Sequence, residues 1–289
     1  MSTVLHVGAH KTGTSLIQKY FRDRIEDFDQ DAVMAIPRSD TNRLIGWGEI
    51  PQEHPLRLRR RIEAELLKGP EVVLVSHENA LGRPFMDDKV GLYPECAETA
   101  NALAAATEGL DVSIVFYVRP VADFVESYYL QTIHEGAWHS FDEWFRNIDA
   151  SQLSWRPVID ALDSAFGGDR SVIGDFNEVK VGQNEFLTSF MRRAGIRSPS
   201  TVRYKPRRNS SISSEGLEIA RNINPHVVSK EQRVATRKFL QEHFSNVGGE
   251  RARPMPAEIR SYLDSQFSPE YELLAERSRS SISSKSDTV

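Results

Sequence analysis

Short apolar, β-branched runs alternate along this chain with longer stretches in which apolar residues recur every three or four positions. Val4 to Val7 predicts a first strand, and Leu16, Ile17, Tyr20, Phe21, Ile25 and Phe28, with Lys19, Arg22, Asp23 and Glu26 between them, predict the helix after it. A helix over Leu56 to Lys68, ended by Gly69-Pro70, leads to a strand over Glu71 to Ser76. The Ala-rich stretch Pro94 to Thr107 predicts a helix, Val112 to Val118 a strand closed by Arg119-Pro120, and Val121 to His134 a helix. Phe141, Trp144, Phe145 and Trp155 mark a buried aromatic segment. A strand over Ser171 to Phe176 and a helix over Asn184 to Ala194 follow. Val202 to Ser214 is basic, polar and aperiodic, and is expected to be a loop. Glu215 to Asn222, Lys230 to Phe244 and Pro256 to Phe267 predict helices. Strands separated by helices imply an α/β fold, a central parallel sheet with helices on both faces in three α/β/α layers. One domain over 1–277 is expected, with a Ser-rich flexible tail over 278–289.

Composition narrows the function classes. The 289 residues include 36 Lys plus Arg against 41 Asp plus Glu, a net charge of −5, which argues against a general nucleic-acid binder. No apolar run approaches the roughly 20 residues of a membrane span, and Val4 to Val7 is too short for a signal peptide, so a cytoplasmic protein is expected. The single cysteine, Cys96, allows neither an internal disulfide nor a thiolate cage, and no His, Cys and carboxylate spacing demands a metal. Any anion must be met by local basic groups.

Such groups stand directly after the first strand. Gly8-Ala9-His10-Lys11-Thr12-Gly13-Thr14-Ser15 joins a strand to an amphipathic helix, where backbone N–H groups and a helix N-terminus converge on an anion. The glycines permit close backbone approach, Thr12, Thr14 and Ser15 add hydroxyls, and Lys11 adds a charge. The two glycines have nucleoside-triphosphate P-loop spacing. The lysine, however, precedes the second glycine and Thr14 takes its usual place, which suits a different anhydride.

The run Val7 to Ser15 resembles the 5′-phosphosulfate loop of sulfotransferases that use 3′-phosphoadenylyl sulfate (PAPS). Val115-Phe116-Tyr117-Val118-Arg119-Pro120-Val121-Ala122-Asp123-Phe124-Val125-Glu126-Ser127-Tyr128-Tyr129 resembles the family's second motif, in which an arginine at a strand end and a serine on the following helix hold the donor's 3′-phosphate. The resemblance implies a P-loop-like fold, with PAPS as co-substrate, adenosine 3′,5′-bisphosphate as product and no required metal. His10, Lys11, Thr12, Gly13, Thr14 and Ser15 would hold the phosphosulfate, and Arg119 and Ser127 the 3′-phosphate. Arg207 and Arg208, in the basic loop Arg203 to Arg208, match a late nucleotide-covering loop by position and charge. The specific motifs lie within roughly the first 130 residues.

Sulfuryl transfer to a hydroxyl or amine needs a base and a cation at the leaving oxygen. Lys11 supplies the cation. The end of the second predicted interior strand, Ser76-His77-Glu78-Asn79, supplies two base candidates at a carboxyl edge, Glu78 ahead of His77, pointing to opposite sides if the strand continues. A P-loop kinase or other nucleoside-triphosphate phosphotransferase and a catalytically silent nucleotide-binding protein are the alternatives. The acceptor is expected to be a small molecule or glycan, with carbohydrate, lipid, small alcohol and peptide tyrosine all left open, and the oligomeric state is left open. The cluster Arg57, Arg59, Arg60 and Arg61 is expected to be a solvated helix face.

Overall fold

The computed structural model describes residues 1–29, 31–46, 54–205 and 211–286, with side chains through 280. The elements in order are β1 (Ser2–His6), α1 (Thr14–Asp23), β2 (Val33–Ala35), α2 (Arg38–Leu44), α3 (His54–Leu66), β3 (Val72–Ser76), α4 (Cys96–Ala106), β4 (Val112–Val118), α5 (Val121–His134), α6 (Phe141–Phe145), α7 (Arg156–Phe166), β5 (Ser171–Asp175), α8 (Gln183–Arg193), α9 (Ser214–Ile223), α10 (Lys230–His243) and α11 (Ala257–Ser286). The five strands form one all-parallel sheet in the order β2-β3-β1-β4-β5. Val4 lies opposite Leu74 on one side and Ser113 on the other. This is the expected α/β class.

Apolar runs become strands here because both faces of the sheet are covered. All five residues of β3 are buried, as are six of the seven in β4. The order places β1 where the chain, having built β2 and β3 on one side, crosses to build β4 and β5 on the other. In open parallel sheets the carboxyl ends beside such a switch point form the ligand crevice. The turn after β1 therefore emerges at the crevice.

The chain divides into two compact units. The first comprises 1–119, 152–206 and 269–289, the second 120–151 and 207–268. The first holds the sheet. One of its cores packs Val4, Leu74 and Val115 of the strands against Ile17, Tyr20 and Phe21 of α1 and Phe186, Leu187 and Phe190 of α8. In the second unit, Arg260 donates to Asp123 at 3.0 Å and to buried Glu126 at 2.9 Å, tying the start of α11 to α5. Asn224 donates to the carbonyls of Ile133 and Ala137.

Several expectations change. β2, α2, α6 and α7 are additional elements. The Ser-rich end does not begin as a flexible tail: α11 continues to Ser286, and Ser278 is fully buried. Its hydroxyl accepts from the buried Arg193 guanidinium at 2.7 Å, which also bonds Glu178 and Ser189. A buried cation needs such partners, so the contact holds the end of the helix within the first unit. Among the aromatics expected to be buried, Phe141, Phe145 and Trp155 are buried. Arg59 pairs with Glu63, and Arg61 with Asp40 and Glu65, as an ion-paired helix face would. Among the described residues, no helix is long and apolar enough to cross a membrane.

Candidate anion-binding site

The turn between β1 and α1 is shaped by glycine and by a tight internal network. Gly13 is the N-cap of α1 at φ 90°, in the left-handed region. A β-carbon there would also meet the Phe186 ring at 3.0 Å and Phe176 at 3.3 Å, so two aromatics fill the space beneath the loop. Lys11 too is left-handed, at φ 60°. No side chain caps α1, so the amides of its first turn have no side-chain acceptor and the positive end of the helix opens on the loop. Thr14 adds a hydroxyl that is buried and has no hydrogen-bond partner among the described residues. The open start of the helix beside that hydroxyl forms a donor set for an anion. The Thr12 hydroxyl has a different use: it donates to the Ala9 carbonyl at 2.6 Å and closes the loop on itself. Ser15 is half-buried on the first turn of α1.

Arg119 leaves the end of β4 and enters the same network. Its guanidinium donates to the Lys11 carbonyl at 2.8 Å and lies over the Phe176 ring, 5.1 Å from the centroid. Its own carbonyl accepts from the Trp155 indole at 2.9 Å. Arg119 is thus part of the loop's architecture, which its position after a strand could not reveal. Ser127 lies half-buried on α5, in the second unit. Arg207 and Arg208 fall outside the described residues.

His10 is turned inward. Its backbone N–H donates to the Tyr93 hydroxyl at 2.8 Å, while Nδ1 lies 2.8 Å from that oxygen and Nε2 lies 2.8 Å from Asn79 Oδ1. Burial, opposed in part by the Glu78 charge, pushes its pKa below the ordinary histidine value.

The two base candidates follow β3, which ends at Ser76. The opposed directions expected of a continuing strand therefore do not apply. Both side chains instead meet α2. The Glu78 carboxylate accepts from Arg38 at 2.7 Å and is partly exposed. His77 is buried, with Nε2 2.9 Å from Asn42 Oδ1 and its pKa lowered to about 4 by burial. Gln18 of α1 joins the group, donating to the Ser76 carbonyl at 3.0 Å and accepting from Arg38 at 3.3 Å. A β-carbon on Gly8 would stand 3.3 Å from the Glu78 carbonyl, so the base-bearing turn runs against the anion loop.

Arg38, Gln18, Asn42, Asn79, Tyr93, Phe176 and Phe186 thus belong to the site although the sequence did not single them out. Asn79 was visible as a polar residue beside Glu78. Gln18 stands on α1 just after the loop, and the others act from elements far away in sequence.

Neither the known family models nor the curated proteins include a match to this chain. Among solved structures, the crystal structure of a sulfotransferase from Alicyclobacillus acidocaldarius is similar over 82% of this chain and 96% of its own, at 16% identity and a TM-score of 0.45.

Proposed function

We propose that this protein is a sulfotransferase that moves a sulfuryl group from 3′-phosphoadenylyl sulfate to a hydroxyl or amine. The observation that carries this is the loop of residues 8–15, where the uncapped N-terminus of α1, the orphan Thr14 hydroxyl and Lys11 converge, with Arg119 bonded into the same loop. The lysine position, one residue before the second glycine, separates this loop from a nucleoside-triphosphate P-loop.

The amides of the first turn of α1, with Thr14 and Ser15, hold the phosphosulfate. Thr12 keeps the loop closed. Lys11 neutralises charge developing on the bridging oxygen as its bond to sulfur breaks. Arg119 braces the loop from β4 and, with Ser127, is assigned to the 3′-phosphate. Arg207 and Arg208 are assigned to the nucleotide side, and His10 to the phosphosulfate loop.

Glu78 is assigned as the base. It takes the acceptor's proton as the new sulfur–oxygen or sulfur–nitrogen bond forms, and adenosine 3′,5′-bisphosphate departs with the electron pair of the broken bond. Glu78 is favoured over His77 because His77 is buried and its Nε2 faces Asn42, whereas Glu78 is partly exposed. Arg38 orients the carboxylate. No step assigns a role to a metal ion. The acceptor is assigned to a small molecule or glycan.

Calorimetric titration with adenosine 3′,5′-bisphosphate and with ATP, each with and without Mg²⁺, tests the proposal. Metal-independent preference for the bisphosphate is expected. Binding of ATP alone, and only with Mg²⁺, would identify a phosphotransferase instead.

A further inference from the structure

The bonds among His10, Tyr93 and Asn79 have a consequence for the loop's protonation. Tyr93 is separated from His10 by 83 positions in the chain, yet its hydroxyl touches both the backbone and the ring of that residue. Tyr93 is fully buried, edge-on to Phe116 and tilted against Trp155. Its backbone stands at φ 49°, a region bulky residues rarely enter and one that surrounding structure must impose. Such a conformation at an aromatic residue is a mark of positional demand. The His10 backbone amide can only donate, so the phenol oxygen accepts there and has its own proton to give to Nδ1. A neutral ring accepting at Nδ1 carries its proton on Nε2, which faces the Asn79 carbonyl oxygen.

We propose that Tyr93 is a positioning residue of the anion loop which, with Asn79, fixes His10 as a neutral imidazole protonated on Nε2. On the reading of residues 8–15 as the donor-binding loop, the loop then keeps one shape and one cation, Lys11, across the working pH range. The His10–Asn79 bond also clips the loop to the turn that carries Glu78.

The charged groups around His10 make this control necessary. Glu78 favours an imidazolium, while Lys11 and Arg38 oppose it, and His77 stands close enough to couple. Burial tips the balance to the neutral ring. Removing the phenol proton donor leaves Nδ1 able to take up a proton, with the Glu78 charge drawing it in.

Nitrogen-15 NMR of the imidazole rings of the full, ligand-free chain tests this directly, His10 being assigned by the loss of its signals in His10→Gln. The expected wild-type result is the Nε2-protonated tautomer, titrating only below the ordinary histidine range. In Tyr93→Phe, His10 should titrate within that range. Calorimetry with adenosine 3′,5′-bisphosphate gives a second readout. The ratio of variant to wild-type affinity, which cancels the ligand's own titration, should be about 0.1 at pH 8 and should rise on acidification as the imidazolium adds a charge.

An Nδ1-protonated ring, or wild-type titration near the ordinary histidine pKa, would overturn the proposal. So would a pH-independent affinity loss in Tyr93→Phe with His10 titration unchanged, because packing alone would explain it. If Tyr93→Phe does not fold, Asn79→Asp serves: a carboxylate at Nε2 should lift His10 into the titrating range, and an unchanged ring refutes the clip. Failure of wild type to bind the bisphosphate would count against the donor reading, while the ligand-free tautomer would still decide this one.

Discussion

At the scale of single residues, the site separates groups that meet the anion from groups that shape the loop, and the two should fail differently. On the proposed sulfotransferase reading, Lys11 supplies a charge as the leaving oxygen becomes anionic, so Lys11→Ala should lower kcat by 10²- to 10³-fold or more, on the order of losing one preorganised electrostatic contact. Sulfuryl transfer at the wild-type rate by that variant would remove the functional assignment. Arg119→Ala should first raise the KM for the donor, because the side chain braces the Lys11 carbonyl. Gly13→Ala combines a left-handed φ with a clash against the Phe186 ring at 3.0 Å. It should cost about 1–3 kcal/mol of stability in urea unfolding and weaken bisphosphate binding, since the amides of α1 can no longer point at the loop. The loop glycines and Lys11 were legible in the sequence because they are neighbours in the chain. Tyr93, Phe176 and Phe186 were not, because their roles exist only once strands and helices far apart in sequence are packed.

At the scale of elements, legibility followed the source of each element's stability. β4 and α5 have the bounds that the apolar pattern predicts, Val112–Val118 and Val121–His134, because their own residues carry the burial that forms them. β2 has only three residues and gains order by pairing with β3. α2 reads Arg-Ser-Asp-Thr-Asn-Arg-Leu, without an apolar period, yet it supplies Arg38 and Asn42 to both base candidates. α7 did leave a signal in Pro157 at its start and Val158, Ile159 and Leu162 on one face, all three buried. The first part of α11 was legible over Pro256 to Phe267, but its continuation was hidden by composition, since its serines suggest a solvated tail while Ser278 bonds buried Arg193. Removing one partner of that buried cluster should be expensive: Glu178→Ala is expected to lose about 3–5 kcal/mol in denaturant unfolding, because the Arg193 charge stays behind. A loss under about 1 kcal/mol would mean that water reaches the guanidinium.

At the scale of the whole molecule, the histidines make stability depend on pH. Burial lowers the His6 pKa to about 3 and that of His77 to about 4, against an unfolded value near 6.5. Both are neutral in the fold, so their contribution is complete above about pH 6.5. Below it, the unfolded chain binds protons that the native chain refuses. Stability should then fall by about 1.4 kcal/mol per pH unit for each histidine, until the pH reaches its folded pKa. Urea midpoints from pH 8 to pH 4 should decline below pH 6.5. His6→Gln, which can keep a bond to Ser76 without titrating, should flatten the decline by about one proton; an unchanged slope would mean that His6 is not held neutral. The net charge of −5 does not oppose anion binding, because the loop's field comes from Lys11, Arg119 and oriented amides.

The uncapped start of α1 also bears on how the protein is handled at the bench. A helix that leaves its first-turn amides to a ligand has part of its stability written into the buffer. Any oxyanion that enters the loop adds RT ln(1 + [L]/Kd), about 2.7 kcal/mol at a hundredfold excess over Kd. Melting temperatures taken in phosphate or sulfate should therefore exceed those in an organic amine buffer of equal pH and ionic strength. On the proposed reading, storage salts become weak competitors of the donor, and an inhibition constant measured in phosphate would describe displacement rather than binding.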